Sequence, residues 1–244
     1  GGRRGCLSVC SHQPYAGSRL VAGAYTSQAV LDKFKADLPD AFVTTDYRKV
    51  LDRDDIDAVF ITTPDFLHEK HAVEALEAGK DVYVEKPMTI TIEGCDRLLE
   101  TAMRLNRKLY VGHNMRHMSF VRKMRDLVKS GAIGEVRAAW CRHFISYGCD
   151  AYFKDWHAER AKSTSMLLQK AAHDLDVMHW ICGGFTKRVN AMGNLSVYNR
   201  ITDRHPPEER GDASWSMDNW PPLSQTQLNP IIDIEDLSMM TIEY

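Results

Sequence analysis

The chain has 244 residues, of which 44% are apolar and 26% charged, and its formal net charge is −2. This length allows one large domain or two modest ones with a core that needs no disulfide bond. The balanced charge and the lack of a basic run exclude a nucleic-acid track, and no apolar stretch approaches the roughly 20 residues that span a bilayer. The six cysteines form no Cys-x-x-Cys pair, so we expect reduced thiols and a cytoplasmic location.

The first half of the chain alternates strand and helix patterns. Predicted strands cover 18–24, 41–44, 58–63, 81–84 and 108–112, and predicted helices follow Thr26 or Ser27 and cover 47–51, 67–78 and 91–106. Strands that alternate with helices at this spacing predict parallel βαβ units. Ligands of such sheets bind beyond the carboxyl ends of the strands.

Polar residues stand at the ends of three of these predicted strands. They are Thr62-Thr63-Pro64-Asp65, Glu85-Lys86-Pro87 and His113-Asn114. Because the carboxyl ends of parallel strands meet at one edge of the sheet, we expect a cofactor there. Pro87 keeps Lys86 out of helical geometry and makes the peptide bond between them a candidate for the cis form.

After residue 115 the pattern changes. Helices are predicted over 119–130 and 165–182, strands over 136–145, 189–198 and 234–244, and an irregular segment over 203–230. The predicted fold class is therefore α/β plus α+β. A parallel sheet over 1–115 is followed by an antiparallel sheet with helices over 116–244.

Two features bear on a dinucleotide cofactor. Gly2 and Gly5 match the last part of a Gly-x-Gly-x-x-Gly motif, in which glycine lets the backbone approach a pyrophosphate. Tyr25 stands where a dinucleotide fold usually has the acidic residue that binds the adenine ribose. The choice between NAD and NADP therefore stays open.

The helix predicted over 165–182 carries a polar face. Gln169, His173, Asp176 and Trp180 share it by their three- and four-residue spacing. A histidine there is either a catalytic base or a hydrogen-bonded structural residue. Two histidine pairs, 68 with 71 and 113 with 117, lack a third ligand at a sensible spacing, so no metal site is expected.

In their order, these motifs resemble the glucose–fructose oxidoreductase / inositol dehydrogenase (Gfo/Idh/MocA) family. The matching elements are Gly2 and Gly5, 62–68, 85–87, 111–114, 131–136 and 173–176. The resemblance implies a Rossmann-type parallel sheet in a dinucleotide-binding domain over 1–115, with its first strand missing here. It also implies a substrate and oligomerisation domain over 116–244, an α/β domain with a large open, mostly antiparallel sheet whose C-terminal strands are missing. It also implies that Lys86 and His173 are catalytic.

The site residues fall into three predicted sets. The catalytic pair is Lys86 and His173. The cofactor-binding set is Gly2, Gly5, Thr62, Thr63, Pro64, His68, Glu85 and Asn114. The substrate set is Arg116, Trp156, Arg160, Gln169 and Lys170. Gln169 occupies a position where the family commonly has an aspartate, so an aspartate–histidine pair is absent and Lys170 is a candidate substitute.

The resemblance implies an enzyme, an NAD(P)-dependent oxidoreductase that acts on a CH–OH group of a sugar, a cyclitol or a derivative. We also expect a homo-oligomer, either a dimer or a tetramer. Two alternatives remain open. One is an NAD-dependent glycosidase that oxidises its substrate transiently and then eliminates the glycoside. The other is a non-catalytic sensor that binds a sugar or a nucleotide.

Overall fold

The computed structural model describes residues 11–145, 152–209 and 225–244. The chain divides into two units, Gly1–Gly112 and His113–Tyr244. Gly2 and Gly5, the proposed pyrophosphate-binding glycines, lie outside the described residues. No described helix is long and apolar enough to cross a membrane.

Parallel strands and the helices between them build the N-terminal unit. In chain order the elements are β1 (Ala22–Ala24), α1 (Gln28–Asp37), β2 (Phe42–Thr44), α2 (Arg48–Leu51), β3 (Ala58–Ile61), α3 (His68–Glu77), β4 (Asp81–Val84), α4 (Ile92–Arg104) and β5 (Leu109–Val111). The strands form two parallel ladders, β1–β2 and β3–β4–β5. The predicted parallel arrangement is confirmed, although no described strand joins β1 to β3.

The core of this unit lies between helices α3 and α4 and the β3–β4–β5 ladder. Its buried members are Leu51, Ile61, Ala72, Ala75, Leu76, Val82, Val84, Leu98 and Ala102. Helix α3 ends before Gly79, whose φ of +76° is the left-handed conformation that glycine adopts at helix ends. Helix α4 begins at the cap residue Thr91, whose hydroxyl accepts a hydrogen bond from the Gly94 amide.

An aromatic row crosses the β3–β4–β5 ladder. Phe60, Tyr83 and Tyr110 are register partners on adjacent strands, and their ring centroids lie 4.9 and 5.5 Å apart. Phe60 and Tyr110 at the two ends of the row are exposed within this unit. The row links all three strands through side-chain packing.

The described residues of the C-terminal unit form fewer and less regular elements. They are α5 (Ser119–Lys129), α6 (Arg160–Ser163), a π-helical segment (Leu167–Ala171) continuous with α7 (Ala172–Cys182), β6 (Arg188–Asn194) and β7 (Leu237–Glu243). Short 3-10 turns cover Asn114–His117, Trp156–Ala158 and Tyr198–Arg200. Helix α7 ends at Gly183, which has a φ of +78°.

Two predictions for this unit are wrong. The antiparallel sheet is small, since the described residues form only the β6–β7 pair. Residues 136–145 form no strand: the segment contacts α7 through the His143 side chain, and it has no assigned strand pairing with the described residues. Trp140 and Phe144 of this segment are accordingly more than 80% exposed.

The C-terminal unit has a hydrophobic core of its own. Its buried members are Phe153, Ala158, Tyr198, Leu228 and Ile234. Asp236 anchors the neighbouring turn, because its carboxylate accepts hydrogen bonds from the backbone amides of Ser196, Val197 and Tyr198 at 2.7–3.1 Å. Burial raises the pKa of this carboxyl, but the donors outweigh burial and lower it below its usual value.

Candidate functional site

Charged side chains are buried at the carboxyl end of β4. Glu85 and Lys86 follow the strand directly and are 5% and 4% exposed. The Lys86–Pro87 peptide bond is cis, as the sequence predicted. Charged residues are almost never fully buried unless they are paired, so their burial marks this strand end as a specialised position.

His68 connects the loop after β3 to the loop after β4. The ring is fully buried. Its Nδ1 lies 2.7 Å from the Pro87 carbonyl oxygen, and its Nε2 lies 2.9 Å from the Thr63 carbonyl oxygen. Both carbonyls can only accept, so a singly protonated ring donates to one of them at a time. His68 therefore fixes the two loops that carry the predicted cofactor-binding residues.

A second network lies beside this bridge. His71 Nδ1 lies 3.2 Å from the Thr63 hydroxyl, and the His71 ring packs against Tyr47 at 4.4 Å between centroids. The Tyr47 hydroxyl donates to Glu74 at 2.6 Å. Burial, together with Glu74, raises the pKa of Tyr47 to about 12. Burial also lowers the pKa of His71, so this imidazole is neutral at pH 7.

Gly112 permits a close approach at the end of β5. A Cβ at this position would lie 2.5 Å from the Tyr83 hydroxyl oxygen. That hydroxyl donates to Glu85 at 3.3 Å. Glycine at 112 therefore makes room for the hydrogen bond that orients the Glu85 carboxylate.

The C-terminal unit is organised around Asp176 of α7. Its carboxylate accepts two hydrogen bonds from the Arg116 guanidinium, at 2.6 and 2.5 Å. The Asp176 side chain is 10% exposed, whereas the Arg116 side chain is 41% exposed. This two-bond geometry is the strongest form of a carboxylate–guanidinium pair, and it ties the turn at Asn114–His117 to α7.

His173 lies on the same helix face, one turn before Asp176. Its ring meets the His113 ring edge-on at 6.3 Å between centroids, and His113 Nδ1 lies 3.9 Å from the Asp176 carboxylate. The guanidinium groups of Arg125 and Arg116 lie over the Trp180 ring, at 4.1 and 5.7 Å from its centroid. The polar face predicted for this helix therefore carries a connected network.

A lysine–tyrosine contact lies at the start of the same helix. The Lys170 ammonium donates a hydrogen bond to the Tyr152 hydroxyl and lies 4.0 Å from the centroid of that ring. The Tyr152 ring meets the His157 ring edge-on, and His157 Nδ1 is hydrogen bonded to Asp155. His157 in turn stacks on Trp156 at 3.7 Å.

A third histidine–carboxylate pair joins the segment 136–145 to α7. His143 Nδ1 lies 2.9 Å from the Asp174 carboxylate. Burial raises the pKa of the nearby Cys141 thiol, and the Asp174 carboxylate raises it further. A thiol with a raised pKa stays protonated at neutral pH and is a poor nucleophile.

Arg160 makes several contacts with neighbouring segments. Its guanidinium donates to the Asp233 and Thr164 carbonyl oxygens at 2.7–3.2 Å and approaches the Glu235 carboxylate at 3.4 Å. Gln169 is buried at 6% exposure. The contacts of Arg160 and Arg116 join neighbouring segments of the chain. Direct contact with a substrate stays a prediction for both residues.

The predicted site residues thus fall into separate groups. Thr63 and His68 are brought together in the N-terminal unit, where His68 also contacts the Pro87 carbonyl, and Arg116 and His173 belong to one network in the C-terminal unit. The convergence of Lys86 with His173 stays a prediction. The predicted substrate set omits Asp176 and Tyr152. Asp176 had a signal, its place one turn after His173, whereas Tyr152 had none.

The strand ends of the N-terminal unit have features that suit the predicted binding of a cofactor. The β3, β4 and β5 strands end side by side, with polar Thr62, buried Lys86 and Gly112 at those ends. A nicotinamide dinucleotide fits such an edge, because parallel sheets of this class bind dinucleotides there. Among the described residues, no group of three His, Cys, Asp or Glu side chains is arranged to hold a metal ion.

The chain matches family models over most of its length. Residues 11–113 match the model described as "Oxidoreductase family, NAD-binding Rossmann fold", and residues 121–221 match the model described as "GFO/IDH/MocA C-terminal domain". The two matches follow one another and cover one unit each for the greater part.

Individual relatives give the same result. A 1-carboxy-3-chloro-3,4-dihydroxycyclohexa-1,5-diene dehydrogenase of Comamonas testosteroni is 35% identical over 68% of this chain and 42% of its own length. An inositol 2-dehydrogenase of Salmonella paratyphi B is 28% identical over 73% of this chain and 49% of its own length. The apo scyllo-inositol dehydrogenase of Lactobacillus casei superposes with a TM-score of 0.66 at 27% identity, over 80% of this chain and 57% of that one. The chain thus spans about half the length of the curated relatives it matches.

Proposed function

Because the chain belongs to the Gfo/Idh/MocA oxidoreductase family, whose N-terminal part is an NAD-binding Rossmann fold, we propose that it contributes to an NAD(P)-dependent dehydrogenase of cyclic polyols. The observation that carries the proposal is the match of both family models in sequence order. Those matches include the buried Lys86 and His173.

The cofactor would be held by the loops at the carboxyl ends of β3 and β4, through Thr62, Thr63, Pro64 and Glu85, and by Asn114. When bound, the nicotinamide would accept the hydride from the substrate carbinol carbon. His68 contributes indirectly, because it holds both loops in place through the carbonyl groups of Thr63 and Pro87. Tyr25 supplies no carboxylate for the adenine ribose, so both NAD and NADP are candidates.

His173 would accept the proton of the substrate hydroxyl as the hydride leaves carbon. A histidine suits this role, because its unperturbed pKa of about 6.5 lies near neutral pH. Lys86 would stabilise the developing negative charge on the substrate oxygen through its ammonium group. The proton, the hydride and the charge are then each assigned to one group.

Arg116 and Asp176 would act as positioning residues for His173. Their two-bond pair fixes the turn that carries His113, and His113 packs edge-on against the His173 ring. A ring held on one side by packing has fewer orientations to search before proton transfer. This role explains why the Arg116 guanidinium faces the helix that bears His173.

A cyclic polyol is the proposed substrate class. Two of the relatives are named for dehydrogenation of a cyclohexadiene diol and of an inositol. Both compounds carry hydroxyl groups on a six-membered carbocycle. The Trp156–His157–Tyr152 aromatic group offers apolar ring faces beside polar atoms, which is the combination that sugar-like rings need.

The experiment is a substrate screen on the purified protein. Inositols, monosaccharides and cyclohexadiene diols are supplied with NAD and, separately, NADP, and the reduced nicotinamide is followed by its absorbance. We expect reduction of the cofactor with at least one cyclic polyol and a loss of at least roughly 100-fold in kcat for Lys86→Met. The matched control is Lys80→Met, because Lys80 is a buried lysine of the same unit whose ammonium binds the Arg53 carbonyl.

Two results would contradict the proposal. One is release of an aglycone from glycosides without net cofactor reduction, which indicates the glycosidase reaction. The other is cofactor binding in a calorimetric titration without turnover on any compound of the panel, which indicates a sensor.

A further inference from the structure

Lys170 and Tyr152 form a contact that the proposed reaction does not use. The Lys170 ammonium donates to the Tyr152 hydroxyl oxygen and lies 4.0 Å from the centroid of the ring. Lys170 belongs to the π-helical segment that precedes α7. Segments of π-helix occur mostly as single turns inside α-helices and are frequent at functional sites.

The contact changes what the phenol can do. A hydroxyl oxygen that accepts a hydrogen bond from an ammonium donates its own proton more strongly, because the bond polarises the O–H group. If the proton leaves, the same ammonium stabilises the phenolate by charge attraction. Tyr152 is therefore suited both to donate a hydrogen bond to a substrate oxygen and to accept one from it.

The position of this hydroxyl is fixed by packing. The Tyr152 ring packs against the buried cluster that contains Phe153 and Tyr198, and it meets the His157 ring edge-on at 5.3 Å. Asp155 binds His157 in turn. The titratable neighbours of the pair thus include His157 and Asp155.

Lys170 precedes His173 on the same continuous helical stretch. The two residues are three positions apart, Lys170 in the π-helical segment and His173 in the first turn of α7. Gln169, which precedes Lys170, is buried, and its amide neither takes nor gives a proton at neutral pH. Of Gln169 and Lys170, only Lys170 therefore has a side chain that carries a charge.

We propose that Tyr152 and Lys170 bind a second substrate hydroxyl, on the carbon next to the one that is oxidised. The substrate class is then a vicinal diol, with one hydroxyl at His173 and its neighbour at the Tyr152–Lys170 pair. This proposal rests on the proposed dehydrogenase function. It assigns substrate specificity to two residues and leaves the hydride and proton transfers as described above.

The experiment is a cycle that crosses enzyme variants with substrate analogues. kcat/KM is measured for an inositol and for the monodeoxy analogue that lacks the neighbouring hydroxyl, with the wild type, Tyr152→Phe, Lys170→Met and Lys170→Arg. Tyr110→Phe and Lys162→Met are the controls, since Tyr110 is exposed in the N-terminal unit and Lys162 forms a partly exposed ion pair with Glu159. Circular dichroism checks that each variant is folded.

We expect the wild type to prefer the inositol by roughly 10–100-fold, the range of one hydrogen bond to or through a charged group. Tyr152→Phe should abolish this preference by lowering kcat/KM for the inositol alone. Lys170→Met should reduce the preference, and Lys170→Arg should retain most of it. The controls should keep the wild-type preference. A folded Tyr152→Phe variant with an unchanged preference would overturn the proposal.

The two proposals fail in different ways. If the wild type oxidises the inositol and the preference survives in Tyr152→Phe, only the diol-binding role is wrong. If the wild type oxidises neither compound and neither compound binds in a calorimetric titration with NADH present, both proposals are wrong. Turnover of both compounds at equal rates by the wild type also rejects the diol-binding role.

Discussion

Replacement of His68 by leucine tests how the two cofactor-side loops are held. The ring is fully buried, and its nitrogens lie 2.7 and 2.9 Å from the carbonyl oxygens of Pro87 and Thr63. Leucine fills a similar volume but donates no hydrogen bond. A buried acceptor that loses its donor costs about 1–3 kcal/mol. Because the ring donates to one of the two carbonyls at a time, the free energy of unfolding should fall by about 1–3 kcal/mol.

Urea unfolding followed by far-ultraviolet circular dichroism measures this loss. For a slope of about 2 kcal/mol per molar urea, the transition of His68→Leu should move down by roughly 0.5–1.5 M. His71→Leu is the matched control, because His71 is only partly buried and has a single hydrogen-bond contact, with the Thr63 hydroxyl. It should lose about 1 kcal/mol. If His68→Leu lost no more than His71→Leu, the bridge would not hold the loops.

Three further predictions concern single interactions. Asp236→Asn should lower the free energy of unfolding by about 1–3 kcal/mol at pH 7. Because the folded pKa of Asp236 is depressed, the stabilisation by its carboxylate is fully present above the unfolded pKa of about 3.9 and is lost as the pH falls through the folded pKa. The urea midpoints of Asp236→Asn and the wild type should therefore converge in acid. In the same assay, Arg116→Met should lower the free energy of unfolding by about 2–4 kcal/mol and Asp176→Asn by about 1–2 kcal/mol. The first loss is larger because Arg116→Met leaves the Asp176 carboxylate, which is 10% exposed, without its guanidinium partner. Tyr47→Phe should cost about 1 kcal/mol equally at pH 6 and pH 9, since the raised pKa of Tyr47 keeps its hydroxyl protonated throughout, and a pH-dependent cost would contradict this.

The sequence predicted the N-terminal unit closely because local signals agree there. The run at Ala58–Ile61 is β-branched and aromatic, Pro64 stops it, and Gly79 ends the next helix. Each of these residues acts on its own neighbours in the chain. Strand direction then follows from the helix between each pair of strands, since parallel pairing requires such a crossover.

The C-terminal unit was predicted less well because its structure depends on distant partners. Residues 136–145 alternate like a strand, but pairing needs a neighbour that no local pattern reveals. The Arg116–Asp176 pair joins residues 60 positions apart, and the Lys170–Tyr152 contact joins residues 18 positions apart. Helical spacing placed Asp176 beside His173, but it could not show what would pack against that face.

The turnover of a His173→Asn variant tests the central claim most directly. On a polyol that the wild type oxidises, general-base catalysis by His173 predicts a fall in kcat of at least roughly 100-fold, with KM changed far less. His117→Asn, which removes an imidazole from the turn at Asn114–His117, should stay within about twofold of the wild type. A His173→Asn enzyme that also stays within about twofold of the wild type would show that another group accepts the substrate proton.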